Sequence, residues 1–160
     1  NMDALSYNFS ITKNTNIISN LPYNISTKII MKLIFYNKHI KKIICMIQKE
    51  LAIKFDYKKI KMNKYKFMIQ MCTDYKILFE VGNKVFYPKP KVKSKVVEFS
   101  LKKLDINRLK LINFTNKMIT NKRKSIGNKI KKDPNINENI YKKRVEDLTF
   151  EELLAIYKFY

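Results

Sequence analysis

A chain of 160 residues can bury one domain-sized core with a small appendage. Its 46% hydrophobic content fits a folded globular protein, and no apolar run approaches the length of a membrane span. The formal charge of +21, from 34 basic against 13 acidic residues, makes a field that attracts polyanions, nucleic acid first among them. Part of that excess reads as compositional drift, because the chain is crowded with Lys, Asn and Ile while its arginines are only Arg108, Arg123 and Arg144. Drift sets the total, and binding sets the local clusters. The only histidine, His39, sits in a turn-like stretch and argues against a His-dependent hydrolase. Cys45 and Cys72 are too few and too far apart for a zinc site and read as reduced core thiols.

In chain order, Asp3 heads a loop, where its own chemistry is that of a turn cap. Asn16-Ile17-Ile18-Ser19 is a short β-branched run that predicts a buried parallel strand. It passes into Asn20-Leu21-Pro22-Tyr23-Asn24-Ile25-Ser26, at the strand-to-helix edge where open α/β sheets bind ligands. Asn20 offers a carbonyl acceptor and an amide donor, Pro22 stiffens the backbone, and Tyr23 supplies a ring to stack on. Such a set suits a flat base bearing an exocyclic amine. Ser26 or Thr27 then caps a helix with Ile29, Ile30, Leu33 and Ile34 inward.

Ile43-Ile44-Cys45-Met46-Ile47 predicts a strand covered on both faces. Gln48-Lys49-Glu50 leads from it into a helix with Leu51, Ala52 and Phe55 inward, and Glu50 suits that helix's N-terminal dipole. Met62, Tyr65, Met68, Ile69 and Cys72 form another helical stripe. Strands follow from Tyr75 to Val81 and from Val96 to Leu101, closing the sheet as an antiparallel hairpin. Between them, Pro88 and Pro90 hold a loop extended and so fix where Phe86 points; core packing competes with function for that ring.

From Asp105 the pattern turns helical: Leu109, Ile112, Met118 and Ile119, then Ile126 and Ile130 after the basic cluster Lys122-Arg123-Lys124. Asp133-Pro134-Asn135 reads as a turn, and Thr149 with Glu152 as the capping box of a last helix.

The motif Asn20 to Ser26 resembles the methyl-acceptor motif of the ribosomal RNA adenine dimethyltransferases. Asp3-Ala4-Leu5, Met46 to Glu50, Phe86 to Ser94 and Asn121 to Ile126 agree with that family in order and spacing, whereas Tyr65-Lys66-Phe67 departs from its usual Tyr-Gly-Arg. The resemblance implies an α/β fold: the C-terminal part of a Rossmann-like, S-adenosylmethionine-dependent methyltransferase sheet over 1–103, and a small all-helical RNA-recognition domain over 104–160. It implies that Asp3 and Asn20 contact the cofactor S-adenosylmethionine. Asn20 and a backbone carbonyl of Leu21 or Pro22 would hold the target amine, while Tyr23 and Phe86 sandwich the adenine. Lys89, Lys91, Lys93 and Ser94, with Lys122, Arg123 and Lys124, would face the RNA, and no metal is called for.

The expected partner is small-subunit ribosomal RNA or its precursor particle, met by a monomer in cytoplasm or organelle matrix, with no membrane association. The chain begins at Asn1 and has only Gly82 and Gly127, so no glycine-rich cofactor cradle can be built from it. It therefore reads as a piece of a longer protein, with little cofactor affinity or activity by itself. Two other readings stay open: a large-subunit RNA dimethyltransferase of the antibiotic-resistance type, and a ribosome-assembly or transcription factor that has lost turnover.

Overall fold

Alternating burial organises the sheet. In a computed structural model that describes residues 2–56, 61–88, 90, 92–119 and 123–160, strands β1 (Thr15–Asn20), β2 (Ile40–Gln48), β3 (Thr73–Val81) and β4 (Ser94–Leu101) lie in the order β1-β2-β4-β3. β1 and β2 are parallel, joined through α1 (Ser26–Leu33), and β4 runs antiparallel to both β2 and β3. The expected hairpin therefore forms, but its second strand is the one inserted beside β2. β3 is left at the edge, with a register shift between Ile77 and Phe79.

The face of the sheet carrying Ile43, Cys45, Ile47, Val97 and Phe99 is almost wholly excluded from water. Ile44 and Met46 on the other face are only half-buried, and Ile18 is 80% exposed. Within this chain the Ile43–Ile47 strand is packed on one face: helices α1, α2 (Lys49–Phe55) and α3 (Lys64–Cys72) contribute Ile29, Ile30, Leu33, Ala52, Phe55, Phe67 and Ile69 to one shared core. Phe55 packs edge-on to Tyr65, Tyr75 and Phe99 at ring-centroid distances of 5.9–6.2 Å.

Ser26 is not the cap of α1 but its first residue. Its buried hydroxyl donates instead to the Tyr23 carbonyl at 3.1 Å. The cap of α3 is Asn63, whose side chain accepts from the Lys66 amide.

Past Lys103 the chain is helical: α4 (Arg108–Ile119), α5 (Glu138–Lys142) and α6 (Phe150–Phe159). Leu109, counted in the helical pattern, is 71% exposed; the buried stripe of α4 is Leu111, Phe114, Thr115 and Met118, the i, i+3, i+4, i+7 set that faces α3. Phe67, which the helical stripe did not flag, is the hinge pin of this contact, with Phe114, Phe150 and Tyr157 rings 5.5–6.3 Å away. The Asp133 turn and the Thr149/Glu152 capping box both form as expected. No helix among the described residues is long and apolar enough to cross a membrane.

Candidate functional site

The strand register decides which residues meet. Asn20 ends β1 opposite Met46, and Gln48 ends β2 opposite Ser94, the first residue of β4. Ser94 in turn pairs with Val81, the last residue of β3. The segment after Asn20 and the loop 82–93 therefore leave from the same edge of the sheet, although more than sixty residues separate them in sequence. Asn20, Leu21, Pro22 and Tyr23 line one open cleft of about 370 Å³ together with Phe86, Tyr87, Pro88 and Pro90, a size that suits a small planar ligand.

Each wall has a physical cause. The Leu21 side chain is buried, so the backbone is what this residue can offer the cleft. Pro22 lacks an N–H, and its carbonyl accepts from the Ile25 amide at 3.2 Å, which folds the elbow into the start of α1. Tyr23 is half-buried, and its phenol shares a 2.6 Å hydrogen bond with the Ser94 hydroxyl. On the facing loop the Asn83 side chain donates to the Pro90 carbonyl at 3.3 Å, bracing the turn that presents Phe86. Phe86 is half-buried, whereas Tyr87 beside it is fully exposed.

Ser94 corrects one expectation. It does not face RNA: it is fully buried behind Tyr23 at the junction of three strands. A serine at the end of a lysine-rich loop looks solvated in sequence, and only the Tyr23 contact reveals otherwise.

Asp3 is exposed and does not line the cleft. Its carboxylate accepts from the Leu5 amide at 2.9 Å and its carbonyl from the Ser6 and Tyr7 amides, which is the turn-cap chemistry of its type. The Lys32 ammonium, in the last turn of α1, donates to the carbonyls of Ala4, Leu5 and Tyr7 at 3.2, 2.7 and 2.5 Å and so straps this turn to the helix. The glycines build no cradle: a Cβ on Gly82 would meet open space, and Gly127 packs against Tyr141 in the helical part. Among the described residues the cleft thus joins one polar side chain, Asn20, to two rings, an arrangement that fits a flat ligand bearing an amine, while the two glycines form no cradle beside it.

Of the lysines assigned to RNA, Lys89, Lys91 and Lys122 lie outside the described residues. Lys93 is exposed, with its ammonium 3.3 Å from Glu80. Lys49 and Lys95 reach the same carboxylate at 3.0 and 3.1 Å, and these cations, Lys49 foremost, hold Glu80 down to about 2. Arg123 and Lys124 are exposed beyond α4, away from the cleft lining. His39 is half-buried with Nδ1 3.0 Å from the Thr12 carbonyl, again away from the cleft. Among the described residues no group of three or more His, Cys, Asp or Glu is gathered to hold a metal ion.

Residues 1–160 match the model of the ribosomal RNA adenine dimethylase family. The ribosomal RNA small subunit methyltransferase A of Malacoplasma penetrans is 39% identical over 138 residues, covering 82% of this chain and 50% of that protein. The protein of the same name from Hydrogenobaculum is 34% identical, covering 98% of this chain and 62% of its own length. The chain therefore spans between half and two thirds of the length of these relatives. Among solved structures, a dimethyladenosine transferase from Plasmodium falciparum superposes with a TM-score of 0.79 at 20% identity, over 97% of this chain and 69% of that one. The 23S rRNA methyltransferase ErmE superposes at 0.69 and 16% identity, over 98% and 68%. Likeness at such identities establishes the fold, a Rossmann-like methyltransferase sheet with helices. With the family model covering it from end to end, the chain belongs to the ribosomal RNA adenine dimethylases.

Proposed function

We propose that this protein uses S-adenosylmethionine to dimethylate the exocyclic amine of adenines in small-subunit ribosomal RNA, and so takes part in ribosome biogenesis. The observation that carries the reading is the meeting of Asn20, Tyr23 and Phe86 in one cleft at the C-terminal edge of the parallel strands. The relatives' shared name favours the small subunit over the large one.

An adenine stacked in a helix cannot present its amine, so the base is flipped or taken from a loop. Rings at Tyr23 and Phe86 offset the lost stacking at about 1 to 3 kcal/mol per base. The Asn20 side chain accepts one amine hydrogen and the carbonyl of Leu21 or Pro22 the other; Pro22 already receives the Ile25 amide, which makes Leu21 the less committed acceptor. Holding both hydrogens fixes the nitrogen lone pair in one direction, and catalysis is then mainly orientation and electrostatics. The cofactor supplies an electrophilic sulfonium methyl when bound, with Asp3 and Asn20 as the residues of this chain that would hold it. After one transfer the remaining hydrogen is held by turning the amine, which permits the second.

The test is Asn20→Ala in the full-length protein, with methylated adenines mapped in both ribosomal RNAs. Transfer should fall by at least about a hundredfold, while RNA affinity changes by less than about twofold. Dimethylation of small-subunit RNA at the normal rate by this variant would remove Asn20 from the mechanism, and methyls found only in large-subunit RNA would move the substrate assignment there.

A further inference from the structure

Two fully buried serines commit their hydroxyls to one residue of the cleft. Ser26 donates to the Tyr23 main-chain carbonyl at 3.1 Å, and Ser94 bonds the Tyr23 phenol at 2.6 Å, so the residue is held at its backbone and at its far tip. A tyrosine held at its main chain and at its phenol oxygen keeps the axis from Cβ to Oη fixed, and with it the place where the ring stands. Ser94 is itself immobile, because it starts β4 where Gln48 of β2 and Val81 of β3 flank it. The cleft's other ring, Phe86, has no polar tip and depends on its loop for direction.

We infer that Ser94 is a positioning residue: it fixes the axis along which the Tyr23 ring stands in the cleft, and so where the target base stacks. The inference rests on the reading of the cleft as an adenine site. With its hydroxyl paired at 2.6 Å inside the protein, Tyr23 offers the cleft its ring face. The proton lost from the amine on methylation passes to water at the mouth of the open cleft.

The hydroxyl pair should behave as one unit. In the full-length protein, Ser94→Ala and Tyr23→Phe should each lower kcat by roughly tenfold, with the KM for S-adenosylmethionine unchanged, and the double variant should be no slower than either. A target-site 2-aminopurine in a short RNA hairpin should be quenched by the native protein and less quenched by each variant. Tyr23→Phe keeps the ring and its burial, so it reports even where Ser94→Ala weakens the fold. Full activity and full quenching in Tyr23→Phe would overturn the inference, as would losses that multiply in the double variant. Should the native protein methylate no adenine, the functional reading fails, and the 2-aminopurine signal still decides whether the Ser94 bond orients the ring.

Discussion

Removal of the Phe86 ring is the sharpest perturbation of the cleft, because Phe86 sits opposite a ring that is independently anchored. In Phe86→Ala the Tyr23 wall stays in place through Ser94 and Ser26, so the base loses one stacking face and keeps the other. One face contributes about 1 to 3 kcal/mol, which is roughly a 5- to 150-fold loss in kcat/KM. Stability should suffer little, at most about 1 kcal/mol, since Phe86 is only half-buried and its neighbours Val85 and Tyr87 are 72% and 103% exposed. The assay is single-turnover methyl transfer to small-subunit RNA, paired with a urea melt of each variant. Phe86→Leu separates the two roles: an apolar plug would be restored by leucine, whereas a stacking face would not. If Phe86→Leu recovers native kcat/KM, or if Phe86→Ala costs less than about twofold, the ring is packing and the sandwich is wrong.

Burial pushes both Cys45 and Cys72 from 9.0 up to about 12, so in the folded protein neither thiol should react with an alkylating reagent at neutral pH. A raised acid in the folded state means that the unfolded chain loses the proton first; stability therefore falls as pH rises above 9, by ~1.4 kcal/mol per pH unit for each thiol. Cys72→Ala should flatten that alkaline slope by about one thiol's share, and an unchanged slope would refute the assignment. Burial raises the Tyr75 phenol as well and so acts in the same direction. Phe67→Ala should cost about 3 to 5 kcal/mol in urea unfolding, because a wholly buried ring touching Phe114, Phe150 and Tyr157 leaves a cavity between α3 and the C-terminal helices. A loss below about 1.5 kcal/mol would mean that the two sets of helices are not joined through this ring.

The cleft was legible because its residues carry chemistry that is rare elsewhere: an Asn and a Tyr on either side of Leu21-Pro22, and an aromatic, Phe86, just ahead of Pro88 and Pro90. What sequence could not show is why two such distant stretches meet, since that depends on β4 entering the sheet beside β2 rather than at the edge. The apolar run of β2 did not say which of its faces meets the helices of this chain, because an unbroken run looks the same from either side. Leu109 misled for a related reason: an apolar residue near the start of a helix fits several stripes, and the face is chosen by the partner, here α3. Ser94 was misread because a serine's role depends on what lies above it, and Tyr23 is 71 residues away.

The eight-residue helix α1 begins at the Asn20 elbow and carries Lys32 in its last turn. Six helical rises of ~1.5 Å separate Ser26 from Lys32, roughly 9 Å along the axis, between the elbow and the residue whose ammonium straps the Asp3 turn. A shift of that rod would carry both ends together, so the Asn20 elbow and the Asp3 turn are gauged against each other through one piece of secondary structure rather than by two adjustable loops.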